Sequence, residues 1–136
     1  MAEKRKCLVV VPMYRELTAT EQFCFKRICD SFSDFDIALI TPESLPVTQY
    51  QGFKHFTFDD RYFKSVASYN GLMLRTDFYK RFTDYEYILI TQLDVLILKN
   101  NLADFLKLNY DYIGAPWLNG YKYIHRISGG GNKQNL

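Results

Sequence analysis

Cysteine is scarce in this chain of 136 residues: Cys7, Cys24 and Cys29 are odd in number and lack metal-ligand spacing. They are read as buried, reduced thiols of a cytoplasmic protein. An excess of one sign of charge is lacking as well. A net charge of +2 without any long basic run excludes nucleic acid as the expected partner. No apolar stretch approaches the roughly twenty residues of a transmembrane helix. The run Cys7-Leu8-Val9-Val10-Val11 behind a basic start is cut off by Pro12 and Arg15-Glu16, too soon for a signal peptide. Peripheral association with a membrane is the one membrane role left open. His55 and His125 pair with no nucleophile and have no metal-ligand spacing. No Gly-x-Ser-x-Gly, Walker or dinucleotide glycine motif occurs, and there are no internal repeats.

What is present reads as one compact α/β domain over residues 1–128, followed by a flexible glycine-rich tail, 129–136. Aromatic residues are abundant at 17%, so most must be core, with some left over as platforms for sugars or bases. Leu8-Val9-Val10-Val11 reads as a first buried strand. Thr18-Ala19-Thr20-Glu21 carries a capping-box pattern, and Phe25, Ile28, Cys29 and Phe32 then follow at helical spacing. Residues 35–40 read as a second strand closed by Pro42 and Pro46, which completes a βαβ unit. Phe53, His55, Phe56 and Phe58 suggest a short extended piece. Helical turns are expected around residues 66–73 and 76–82, a helix at 101–108 and a strand at 110–113.

The most informative stretch is Tyr87-Ile88-Leu89-Ile90-Thr91-Gln92-Leu93-Asp94-Val95-Leu96-Ile97-Leu98. So apolar a run predicts a strand buried on both faces, central in a parallel sheet. The economical place for its two polar residues is just past the carboxyl end of that strand, where open α/β sheets bind ligands. Gln92 and Asp94 alternate with Leu93 and so point the same way. A carboxylate with a carboxamide oxygen suits a hard dication shared with phosphates, or the hydroxyls of a ribose or sugar. The plainer alternative is an Asp that caps a turn.

Pro12-Met13-Tyr14-Arg15 leaves the first strand at the same sheet edge, so Tyr14 can stack on a base and Arg15 can meet a phosphate. Asp59-Asp60-Arg61 is either part of a site or a solvated turn. Asn70 sits on an otherwise apolar helix face beside Gly71, where a buried amide needs partners. Arg75 is a further candidate for ribose or phosphate. Trp117, the only tryptophan, is held by Pro116 as a sugar platform or is simply buried.

In this order the pieces resemble the nucleotide-sugar-binding half of A-type glycosyltransferases, through Pro12-Met13-Tyr14 and Gln92-Leu93-Asp94. More narrowly, Asp59-Asp60-Arg61-Tyr62-Phe63, Ser68-Tyr69-Asn70-Gly71-Leu72-Met73-Leu74, residues 85–94 and Asp111-Tyr112-Ile113-Gly114-Ala115-Pro116-Trp117 resemble an uncharacterised bacterial group of glycosyltransferase-like domains. The resemblance implies a Rossmann-like mixed, mostly parallel sheet flanked by helices, and a nucleotide-diphosphate sugar as partner. It implies a donor site of Pro12, Tyr14, Arg15, Asp60, Asn70, Arg75, Gln92 and Asp94, with Mn²⁺ or Mg²⁺ held by Asp94 with Gln92. Gln92 stands where the family has an acid, which should weaken the metal. Ser128-Gly129-Gly130-Gly131-Asn132 is similar to the loop that opens the acceptor-binding half, so the chain is expected to be the donor-binding part alone. No catalytic residue is assigned. The alternatives are a non-catalytic truncated fragment that acts as an interaction module for a partner strand or self-associates into a homo-oligomer through its exposed sheet edge, and a nucleotidyl transferase, for which a glycine-rich basic loop after the first strand is missing.

Overall fold

The computed structural model describes residues 5–114, which fall into two units divided after Asn100. The first unit holds a four-stranded sheet. Strand β1 (Arg5–Pro12) leads through helix α1 (Ala19–Ser31) to β2 (Asp36–Pro42), and β3 (Lys54–Phe58) follows. Helices α2 (Val66–Met73) and α3 (Thr76–Tyr79) then precede β4 (Tyr85–Ile90). Strand order is β3-β2-β1-β4, and every pairing is parallel. The α/β sheet flanked by helices is therefore present, and its described strands are all parallel. In the second unit α4 (Leu102–Lys107) forms where a helix was expected, and Asn109 follows it at φ 54°. The strand expected at 110–113 is absent: these residues are irregular.

Local sequence explains the first crossover. Thr18 caps α1 through a capping box with Glu21, so the pattern read from the sequence is realised. Both strands next to α1 end on proline, where a missing amide costs the ladder least. The following residues resume the bonding: Met13 N–H donates to the Ile40 carbonyl at 2.8 Å, and Glu43 N–H to that of Phe58 at 3.1 Å. Thr41 and Pro42 thus belong to β2, two residues beyond the expected strand end.

Side chains alternate across the sheet. Leu8, Val10, Ala38 and Ile40 form one core with Leu72 of α2, Phe78 of α3, Phe82 and Tyr85, edged by Phe56, Phe58, Ile88 and Ile90. Val9, Val11 and Leu39, on the other face, are equally buried, and α1 contributes Cys24 and Ile28 outside the first cluster. β1 and β2 are accordingly the strands buried on both faces. The expectation that gave this role to the 87–98 run is corrected: β4 stops at Ile90, is only half-buried over residues 87–90, and lies at one end of the described order. Residues 91–100 are irregular, with Leu98 84% exposed. They are tied to α1 instead, since Arg27 Nη2 donates to the Ile97 carbonyl at 3.1 Å and Asn100 Nδ2 to that of Ser31.

Candidate functional site

The order β3-β2-β1-β4 reverses direction at β1: the chain builds outward to β2 and β3, then returns to β1's other side with β4. Such a switch point leaves a crevice at the carboxyl ends of the two strands between which the order reverses. Register puts the two candidate loops there. Val10 pairs with Ile90, and Thr91 N–H donates to the Val10 carbonyl at 3.0 Å. Tyr14 and Asp94 each lie four residues beyond that paired level.

In the β1 loop, Pro12 and Met13 are buried, and Tyr14 is the first exposed residue, at 53%. Pro12 thus ends the strand inside the fold. After β4, Thr91 and Leu93 are buried while Gln92 and Asp94 are exposed, so alternation carries the pair past the strand end on the solvent side. Among the described residues Asp94 makes no side-chain hydrogen bond and no ion pair. It lies in a turn but does not cap it, so the plainer alternative for this residue is not realised.

The two acids of the Asp59-Asp60-Arg61 candidate are spent on structure. Asp59 accepts from Arg61 N–H at 2.9 Å. Asp60 accepts from Ser44 N–H at 3.1 Å and ties the loop after β3 to that after β2; the Ser44 hydrogen bonds hold its pKa below the ordinary carboxylate value. Arg75 pairs with Asp77 at 2.9 Å. Asn70 corrects its expectation: it is exposed on α2, because the helix turns Leu72 inward and leaves Asn70 and Gly71 in solvent. Neither Asp60, Asn70 nor Arg75 lies on the β1 and β4 loops. Trp117, His125 and the glycine run lie outside the described residues.

Arg15 is committed too. Its Nη1 and Nη2 donate to Glu21 Oε2 and Oε1 at 2.8 and 2.9 Å, a bidentate pair. Its guanidinium lies over the Tyr14 ring, 5.3 Å from the centroid. Glu21 is the residue that sequence reading assigned to the helix cap alone. Arg15 first, then the amide and hydroxyl of Thr18, push its pKa down to about 2. A depressed carboxylate stabilises the fold fully above its unfolded value and loses that contribution as pH falls through the folded one. The stability advantage of the natural chain over Glu21→Gln should therefore shrink between pH 4.5 and about 2, as thermal unfolding across that window will read.

A groove of about 300 Å³ opens at the opposite sheet edge, lined by Cys29, Phe35, Asp36, Phe53 and Lys54. Its charges face each other: Lys54 Nζ lies 3.7 Å from Asp36 Oδ2, which also accepts from the Tyr85 hydroxyl at 2.6 Å. This edge carries the amino ends of β2 and β3, away from the carboxyl ends of β1 and β4. Among the described residues no group of three or more His, Cys, Asp or Glu is arranged to hold a metal, and no helix is long and apolar enough to cross a membrane.

No curated protein matches the chain. A family described as protein of unknown function (DUF5672) matches residues 52–134, a span that begins just before β3 and includes Gln92 and Asp94 but not Tyr14 or Arg15. That span is more than half of the sequence, and the chain belongs to this family.

Proposed function

We propose that the chain binds a nucleotide-diphosphate sugar at the carboxyl edge of β1 and β4, as the donor-binding domain of a glycosyltransferase. The observation that carries the reading is Asp94: an exposed carboxylate with no partner among the described residues, at the switch point of a parallel sheet, with an exposed tyrosine at the matching position of the loop after the adjacent strand. Tyr14 offers a face to the base. Gln92 and Asp94 offer oxygens to a ribose hydroxyl or to a cation on the diphosphate.

The donor chemistry fits Mg²⁺ or Mn²⁺ only as a shared ion. One carboxylate and one amide oxygen leave most of the coordination to phosphate oxygens and water, an arrangement Mg²⁺ accepts readily. Once bound, such a cation supplies Lewis acidity to the departing nucleotide. The chain's own part is to seat the base at Tyr14 and, through Gln92 and Asp94, to hold the cation that would offset the diphosphate's charge. The free thiols, two of them buried, accord with the cytoplasmic setting we assign.

Calorimetric titration of the purified chain with UDP-, GDP- and CDP-sugars, with and without Mn²⁺, tests the proposal. Metal-dependent binding of one nucleotide class is expected. Binding of none, together with a concentration-dependent dimer, overturns it in favour of the non-catalytic module.

A further inference from the structure

We infer that Glu21 is a positioning residue of the nucleotide site: through Arg15 it holds the Tyr14 ring at the cleft, and Arg15 is a clasp instead of a phosphate ligand. The inference rests on the donor-site reading above and specifies how that site is kept in shape.

The clasp has a fixed end and a working end. Glu21 belongs to the first turn of α1, a thirteen-residue helix anchored by buried Cys24 and Ile28. Its Oε2 accepts from Thr18 N–H and Thr18 Oγ1, both at 2.9 Å, besides Arg15. The carboxylate is therefore fixed from the helix side before it meets the guanidinium. It is also the better shielded partner, with its side chain 19% exposed against 47% for Arg15. Arg15 Nη1 additionally donates to the Glu16 carbonyl at 3.0 Å, which folds the loop back on itself. Both terminal nitrogens are thus engaged, and the guanidinium is left over the Tyr14 ring, where a cation and an aromatic face attract.

A diphosphate could take the end of the Arg15 guanidinium only by breaking two charge-assisted hydrogen bonds to Glu21 and opening this turn. Leaving the clasp closed has the opposite effect: an exposed ring that would otherwise sample several rotamers is ordered before the ligand arrives. Preorganisation of this kind raises affinity by removing an ordering cost from the binding step. The chain of dependence runs from α1 to Glu21, to Arg15, to Tyr14.

The two roles for Arg15 give opposite signs for one substitution. UDP, GDP and CDP, each with Mn²⁺, are titrated into the natural chain, Glu21→Gln, Arg15→Gln and the double variant. With a clasp, each single change lowers affinity about fivefold, and the double change lowers it no further, because both remove the same contact. With a phosphate ligand, Glu21→Gln frees the guanidinium and tightens binding. Tighter or unchanged binding in Glu21→Gln overturns the inference. A readout without nucleotide accompanies it: the Tyr14 ring proton resonances, identified by their loss in Tyr14→Phe, should move toward unstructured values in both single variants, and unmoved resonances overturn the inference. If the natural chain binds none of the three, the donor-site reading fails, and the ring resonances alone decide the clasp. Should Glu21→Gln weaken the helix cap enough to unfold the chain, Arg15→Gln, which leaves the Thr18–Glu21 cap intact, carries the Tyr14 ring readout, and unmoved resonances there overturn the inference.

Discussion

Asp94→Ala should abolish metal-dependent binding of the nucleotide-diphosphate sugar, a loss of at least about a hundredfold in affinity. Even residues that only orient a metal ligand typically contribute ten- to hundredfold, and Asp94 is the sole carboxylate of the proposed set. Gln92 cannot compensate, since an amide oxygen carries no net charge against a dication at contact distance. The fold should not register the change. Asp94 is exposed and makes no hydrogen bond or ion pair among the described residues, and surface substitutions of that kind stay within about 0.5 kcal/mol. Calorimetry with Mn²⁺, paired with thermal unfolding of the same samples, separates the two effects. Asp94→Asn isolates charge from shape and should leave only weak, metal-independent binding.

Phe78→Ala should be the most damaging change to stability, at about 3–5 kcal/mol. The ring is 1% exposed and meets Phe58, Tyr79 and Phe82 at centroid distances of 5.4, 5.0 and 5.1 Å. It joins α3 to the sheet face that also holds Val10 and Ile40. Removing it leaves a cavity between elements that cannot close without moving α3. Against a typical total of about 5–15 kcal/mol, that loss leaves a large unfolded fraction under mild conditions. Urea unfolding reads it as a fall in midpoint without a change in slope; Phe78→Leu, which refills most of the volume, should cost much less.

The first βαβ unit was legible because each of its signals is local. A β-branched run ended by Pro12, a Thr18–Glu21 cap and one apolar helix face each speak for their own segment, and their agreement fixes the crossover. The 87–98 run misled because composition records apolarity but not what covers it. Its first third pairs with β1, and the rest is held by Arg27 and Asn100 reaching carbonyl groups seventy residues or so away in sequence. No periodicity carries such a contact. Gln92 and Asp94 were nonetheless placed at the strand's carboxyl end, because the polar break in the run marks where the ladder stops. Arg15 was read from residue type alone, as a cation near a proposed phosphate. Its partner lies six positions on, across a helix cap, at a spacing that belongs to neither helix nor strand, so only the folded loop brings Arg15 and Glu21 together. A lone arginine followed by a capping-box glutamate is the signal that was available. Asn70 was misread because α2 is eight residues long, too short for its pattern to choose a face reliably.

Paramagnetic broadening by Mn²⁺ in the presence of UDP, followed by amide resonances of the isotopically labelled natural chain, tests the placement of the site directly. Loss of signal should centre on residues 91–95 and reach Met13, Tyr14 and Arg15 across the β1–β4 boundary, with Asp36 and Lys54 at the far edge spared. Broadening centred on that far edge, or none near Asp94, would contradict it.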